Sequence, residues 1–171
     1  MLFTSVSTVD GVLEGHSGPI RYAGLLAFLS WPQDLPWRHV YCMAALIGSD
    51  GRAVMARHAP HTSNADRIYF PSGSLEPSDF RGGIADLEGN MSRELLEETG
   101  LSLSPATPDP GWLLWNGGRS LALFRVYRFP QTAPELAQAI EAFIAAGGDD
   151  QLAAAVVLDP GQLLEAMPGS A

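Results

Sequence analysis

The stretch Arg93-Glu94-Leu95-Leu96-Glu97-Glu98-Thr99-Gly100-Leu101 limits what this chain can become more than any other. Gly100 suits the left-handed position that ends a helix, and a helix ending there sets Glu94, Glu97 and Glu98 at i, i+3 and i+4, on one face. Like charges at that spacing cost roughly 0.2–0.5 kcal/mol per pair, and acids in a last turn oppose the negative end of the helix dipole. Stability alone does not select such an arrangement. Arg93, four residues before Glu97, can bond a carboxylate with its planar fork and so orient the cluster without neutralising it. The surplus charge suits a hard divalent cation, since magnesium takes one or two carboxylates and completes its shell with phosphate and water. The competing reading is a solvated acidic face, the usual fate of charge runs on helices.

The order Arg-Glu-apolar-x-Glu-Glu-x-Gly-apolar resembles the second half of the Nudix box, GX5EX7REUXEEXGU, at every defined position. Upstream, Pro71-Ser72-Gly73-Ser74-Leu75-Glu76-Pro77-Ser78-Asp79 resembles the family's glycine loop, with Gly73 as the box glycine and Asp79 where the family has glutamate. Asp79 is one methylene shorter than that glutamate. Residues 80–92 place thirteen positions ahead of Arg93 where the family pattern has X7. The extra residues are assigned to Phe80-Arg81-Gly82-Gly83-Ile84-Ala85, a turn-like run with paired glycines. Asp86 is then expected to cap a helix from about Leu87 to Thr99.

The resemblance implies an α+β fold, a Nudix-type α/β/α sandwich with a mixed β-sheet. It implies one Nudix hydrolase domain over residues 1–171, with residues 1–38 an N-terminal extension packed on it. It also implies metal-dependent hydrolysis of the pyrophosphate bond of a nucleoside diphosphate linked to a group X, by water attack on phosphorus. Mg²⁺, or Mn²⁺ in its place, would be held by Glu94, Glu97 and Glu98, with Gly73 and Asp79 as further candidates. Arg93 would hold the acids and completes the catalytic set. The general base stays open between a box glutamate and a loop acid, with Glu135, Glu141, Asp149 and Asp150 all available. The alternative is a non-catalytic Nudix-like module that senses a nucleotide or binds a protein. An isomerase on the same fold would need a catalytic cysteine, for which only Cys42 could serve.

At 171 residues and 46% hydrophobic content the chain suits one domain with a real core. A net charge of −9 and a pI near 4.7 argue against a long nucleic-acid partner and leave a small nucleotide as the expected ligand. Cys42 is the single cysteine, so no internal disulfide is expected, and its apolar surroundings read as core. Met1 to Asp10 lacks the features of a secretory signal, and no apolar run reaches the roughly eighteen residues needed to cross a bilayer. A cytoplasmic protein without membrane association is expected, and apolar residues near the N-terminus leave room for a homodimer.

Along the chain, Tyr22 to Trp31 reads as a buried strand; Trp31 and Trp37, beside Pro32 and Pro36, are expected to pack as a cover over the domain, the alternative being part of a dimer contact. His39 to Ile47 and Arg52 to Arg57 form a hairpin around Ser49-Asp50-Gly51. His58 to Asp66 reads as a surface loop, with His58 and His61 solvated rather than a metal pair, and Arg57 and Arg67 are weak substrate-binding candidates. Trp112 to Trp115 and Arg119 to Phe129 form a second hairpin around Asn116-Gly117-Gly118. Trp112, Trp115 and Tyr127 are aromatic enough to stack a base, although core packing is the commoner use. Pro134 opens a helix whose Leu136, Ile140, Phe143 and Ile144 share a face, ended by Gly147 and Gly148. A last strand follows at Val156-Val157-Leu158, and Asp159-Pro160 starts a terminal helix.

Overall fold

A computed structural model describes residues 1–30 and 35–162. The chain begins with a hairpin, β1 (Leu2–Val9) and β2 (Val12–Gly18), turning at Asp10 and Gly11, both at positive φ. Such paired left-handed residues match the twist of the flanking strands, which is why Asp-Gly favours this turn. Next comes a helix, α1 (Tyr22–Ser30), where a strand was expected. Short apolar runs do not distinguish strand from buried helix by pattern. Here Leu25 and Phe28, one turn apart, are the buried pair, while Tyr22 stays exposed. Trp31 and Pro32 lie outside the described residues; Trp37 packs its ring 6.4 Å from that of Phe28.

The centre of the molecule is β3 (Arg38–Ile47), which continues through the expected turn into β4 (Ala53–His58). Short strands β5 (Ile68–Tyr69) and β6 (Ser72–Ser74) then pair antiparallel with β4 and β3. A single 3-10 turn at Pro77–Asp79 precedes a small hairpin, β7 (Phe80–Arg81) and β8 (Ile84–Ala85), and then α2 (Leu87–Thr99). After β9 (Thr107–Pro108) come β10 (Leu113–Asn116) and β11 (Ser120–Arg128), the second hairpin, then α3 (Ala133–Ala145) and β12 (Leu152–Leu158). Residues 160–162 begin the short terminal helix, and the rest of that expectation falls outside the described residues.

The sheet runs β10-β11-β3-β1-β2, with β12 joining through β4. β11 pairs parallel with β3 over nearly its whole length and the remaining pairings are antiparallel, so the sheet is mixed and the fold α+β. Alternation along β3 builds two cores. Val40, Cys42, Ala44 and Leu46 pack with Met91 and Leu95 of α2 and Leu136 and Ile140 of α3. Met43 and Ala45 point the other way, to Met55, Phe70, Ala122 and Phe124. Over that second face lies a cavity of about 830 Å³, and α1 borders it from the far side. α3 starts at a capping box in which Thr132 and Glu135 satisfy each other's backbone N–H groups. No helix among the described residues is long and apolar enough to cross a membrane.

Candidate active site

The two ends of α2 are fixed as their residues dictate. The Asp86 carboxylate accepts the Gly89 N–H at 2.9 Å, and Gly100 takes φ 72° while donating its N–H to the Leu96 carbonyl at 3.0 Å. Between them one face of the helix meets β6. Glu98 Oε2 accepts the Ser72 N–H at 3.2 Å, and the Glu94 side chain lies against Gly73, where any Cβ would collide with it. Gly73 is therefore a glycine because a carboxylate needs its space.

The insertion between the box halves turns out to be a closed loop. The Asp86 N–H donates to the Asp79 carbonyl at 2.7 Å, so residues 80–85 leave and return at one point as the β7–β8 hairpin. Gly82 and Gly83, both at positive φ, make its turn. With those residues looped out, 86–92 supply the X7 spacing before Arg93.

Asp79 is buried, at 8% exposure, and its carboxylate is already engaged. Oδ2 accepts the Glu76 N–H at 2.8 Å and the Asn90 amide at 3.0 Å, and Arg93 stands 3.5 Å from both oxygens. These contacts brace the glycine loop against α2. Asn90, fully buried, also donates to the Ser74 carbonyl at 3.2 Å. Arg93 reaches Glu94 Oε1 at 2.7 Å and Glu97 Oε2 at 3.5 Å, so it binds two of the three box acids and Asp79 together.

The acids differ in environment. Burial pushes the Glu98 carboxyl up to about 8 against the opposing Ser72 hydrogen bond, with Glu94, Asp149 and Glu97 adding repulsion. Glu94 is also raised, by burial first, while Arg93 pulls it back. The Glu97 side chain stays 60% exposed on the rim. Among the described residues no three His, Cys, Asp or Glu side chains form a group that could hold a metal; from α2, Glu94 and Glu98 lie against the glycine loop while Glu97 faces solvent. Oxygen donors alone, a glycine cradle under Glu94 and a desolvated Glu98 are nevertheless a donor set suited to a hard cation, which needs only one or two carboxylates when phosphate and water complete its shell.

Of the loop and helix acids, Glu135 is spent in its capping box and Glu141 accepts the Ala155 N–H at 2.7 Å. Asp150 faces His61 at 3.8 Å on the surface. Asp149 accepts the Gln151 N–H at 2.7 Å, and its charge bears on Glu98 and His58.

The cavity opens beside Glu98 and Ser72. Arg67 lines it; Arg57 is exposed on β4 and does not. His58, expected on a surface loop, is instead buried at the end of β4, stacked 4.1 Å from the Tyr69 ring. Burial lowers its affinity for a proton. His61 is exposed as expected. Trp115 lines the cavity, whereas Tyr127 is core and Trp112 sits elsewhere under Arg125, 5.5 Å from its ring centre. Asn90, His39, Tyr41 and Tyr69 were missed from sequence. Asp10-Gly11, flanked by valines, carried a legible hairpin signal, but nothing local marks Asn90 as a loop brace. Cys42 is fully buried and burial pushes its thiol up to about 12, which makes it a poor nucleophile.

No family model matches the sequence, and no curated protein matches it. Solved structures do match in fold. DR0079 from Deinococcus radiodurans is 13% identical and superposes with a TM-score of 0.57, over 96% of this chain and 87% of that one. The NUDIX domain of Shewanella oneidensis NrtR, solved with ADP ribose, is 14% identical with a TM-score of 0.50 over 87% and 89%. A binary complex of the Caenorhabditis elegans Ap4A hydrolase is 8% identical with a TM-score of 0.51 over 74% and 84%. The chain has the Nudix fold, and the stretch that resembles the Nudix box occupies the helix and glycine loop just described.

Proposed function

We propose that the protein is a metal-dependent hydrolase that cleaves the pyrophosphate bond of a nucleoside diphosphate linked to a group X. The observation that supports this most is the meeting of Glu94 and Glu98 with the Ser72–Gly73 backbone, of which Glu98 and Ser72 also line a cavity large enough for a nucleotide. Glu94 and Glu98, with a backbone carbonyl near Ser72 or Gly73, would hold Mg²⁺ or Mn²⁺, and Glu97 stands at the rim. A cation held by these residues would supply Lewis-acid polarisation of the phosphoryl oxygens and make water a better nucleophile.

The chain's own residues do the rest. Arg93 fixes the rotamers of Glu94 and Glu97 and ties them to Asp79, so Asp79 acts as a brace rather than a ligand. The water's oxygen bonds to phosphorus, the bridging P–O bond breaks, and the products are a nucleoside monophosphate and the phosphate of X. The proton released by the water passes to a carboxylate whose charge bears on Glu98, either Glu97 or the loop acid Asp149, and then to solvent. The sensing-module alternative has less support, because all three box glutamates and Arg93 are present in sequence and two of the acids lie against the glycine loop.

The test is cleavage of a panel of nucleoside diphosphate derivatives with Mg²⁺, with Mn²⁺ and with chelator, read by chromatography. Turnover that needs metal and falls by orders of magnitude in Glu98→Gln, with the fold retained, is the expected result. No cleavage across the panel, with nucleotide binding intact, would move the assignment to a sensing module.

A further inference from the structure

The cavity beside Glu98 has an unusual wall. On α1, Tyr22, Leu25, Leu26 and Leu29 fall at i, i+3, i+4 and i+7, one face of the helix, and all four line the cavity. Leu26 and Leu29 keep 37% and 36% of their surface exposed, so this face is apolar and uncovered. The facing wall is the second core of the sheet, from which Met43, Met55 and Phe124 reach the same space. Tyr41, Tyr69 and Trp115 add flat rings. α1 is held at both ends. Its last turn is pinned by Arg119, whose Nη1 donates to the Phe28 carbonyl at 2.6 Å and whose guanidinium lies 5.6 Å from the Phe28 ring centre. Its first residue is joined to the loop after β4 by a 3.0 Å hydrogen bond between the Tyr22 and Ser63 hydroxyls.

Charge is scarce in this space. Among the described lining residues Arg67 is the only arginine or lysine, and His39, donating to or accepting from Ser74 at 2.7 Å, is pushed down to about 4 by burial and is neutral near pH 7. A chain of phosphates entering between α1 and the sheet, past the catalytic end, would lose hydration with one side-chain cation to receive it, which is unfavourable. An aromatic ring gains stacking on tyrosine or tryptophan instead.

Resting on the hydrolase reading for its catalytic end, we propose that α1 is the specificity wall of this site, and that X is an uncharged, flat or apolar group rather than a further run of phosphates. Leu26 and Leu29 are the selecting residues, because they are the part of the wall that the sheet does not already cover.

The test is calorimetric binding to the full, unsubstituted chain in the presence of chelator, so that no metal-dependent turnover intrudes. The two probes are flavin adenine dinucleotide, an adenosine diphosphate bearing a flat uncharged X, and adenosine 5′-tetraphosphate, which extends the same nucleotide by phosphates. The first is expected to bind at least tenfold more tightly. Leu29→Arg and, separately, Leu26→Arg are expected to shrink that ratio at least tenfold, while Ile84→Arg, which adds the same charge on the β7–β8 hairpin away from the cavity, leaves it unchanged. Both leucines are partly exposed, so either variant serves if the other does not fold. Equal or reversed affinities, no binding of either probe, or a ratio unmoved by both leucine variants would overturn the proposal. A protein that shows the preference but cleaves nothing in its unsubstituted form would end the hydrolase reading and leave this one standing.

Discussion

At Gly73 the demand is for space, since a Cβ there would strike the Glu94 side chain. Gly73→Ala is therefore expected to displace Glu94 and cut turnover at least tenfold while the melting temperature moves little, checked by kinetics beside a thermal melt. A neighbouring position carries a different load. Asp79→Asn keeps the shape but turns an acceptor of the Asn90 amide and Arg93 into a partial donor, in a buried place. Leaving those groups poorly paired costs about 1–3 kcal/mol, so a urea titration is expected to show that loss together with lowered activity. The same substitution would cost little if Asp79 only faced solvent. That Glu94, Glu97 and Glu98 share a helix face with Arg93 in reach was legible from their spacing before Gly100 and from the likeness to the Nudix box, whereas their role is what is proposed above. Asn90 was not legible, because its partners are the Ser74 carbonyl and Asp79, contacts that exist only once α2 has docked on the glycine loop.

Among the elements, α2 was readable at both ends, since Asp86 and Gly100 do locally what a helix terminus requires. Asp86→Ala is expected to cost about 1 kcal/mol of stability, the usual value of a lost N-cap, measurable as a shift in denaturant midpoint. The inserted hairpin is a second local device. Its two glycines hold left-handed conformations that cost other residues about 1–2 kcal/mol each, so replacing both with alanine should destabilise the protein. Because the hairpin closes on the Asp79–Asp86 hydrogen bond away from the cavity, turnover at saturating substrate should stay within about twofold. Helix α1 shows where local reading fails. Its apolar run suits strand or helix equally, and only the folded chain sets its leucines across the cavity from Met43 and Phe124. His58 fails the same way, taken out of its expected loop by stacking on Tyr69 from a different strand.

For the molecule as a whole, the mixed sheet could be anticipated from its hairpins and box, whereas the parallel β3–β11 pairing joins segments far apart in sequence and left no local trace. Surface ion pairs set how this whole responds to acid. Hydrogen bonds from Arg52 and Arg128 hold Asp50 and Asp109 below the ordinary carboxylate range, and bonds from Thr132 do the same for Glu135. In each case the folded pKa lies under the unfolded one. Their contribution is present above the unfolded pKa near 4 and is lost as pH falls through the folded value. Denaturant midpoints are thus expected to fall below about pH 4, and Arg128→Gln should make that fall shallower by removing the partner of Asp109. An equal slope in wild type and variant would show that the pair contributes nothing.

The whole-molecule claim is that water attacks phosphorus at the box carboxylates. The measurement that reaches it most directly is cleavage of a nucleoside diphosphate derivative in ¹⁸O-labelled water with Mg²⁺, followed by mass spectrometry of both products, in wild type and in Glu98→Gln. One labelled oxygen on a product phosphate, formed by the wild type and nearly absent from the variant, is the expected result. Label found on the X group instead of phosphate, or equal labelling by the variant, would contradict it.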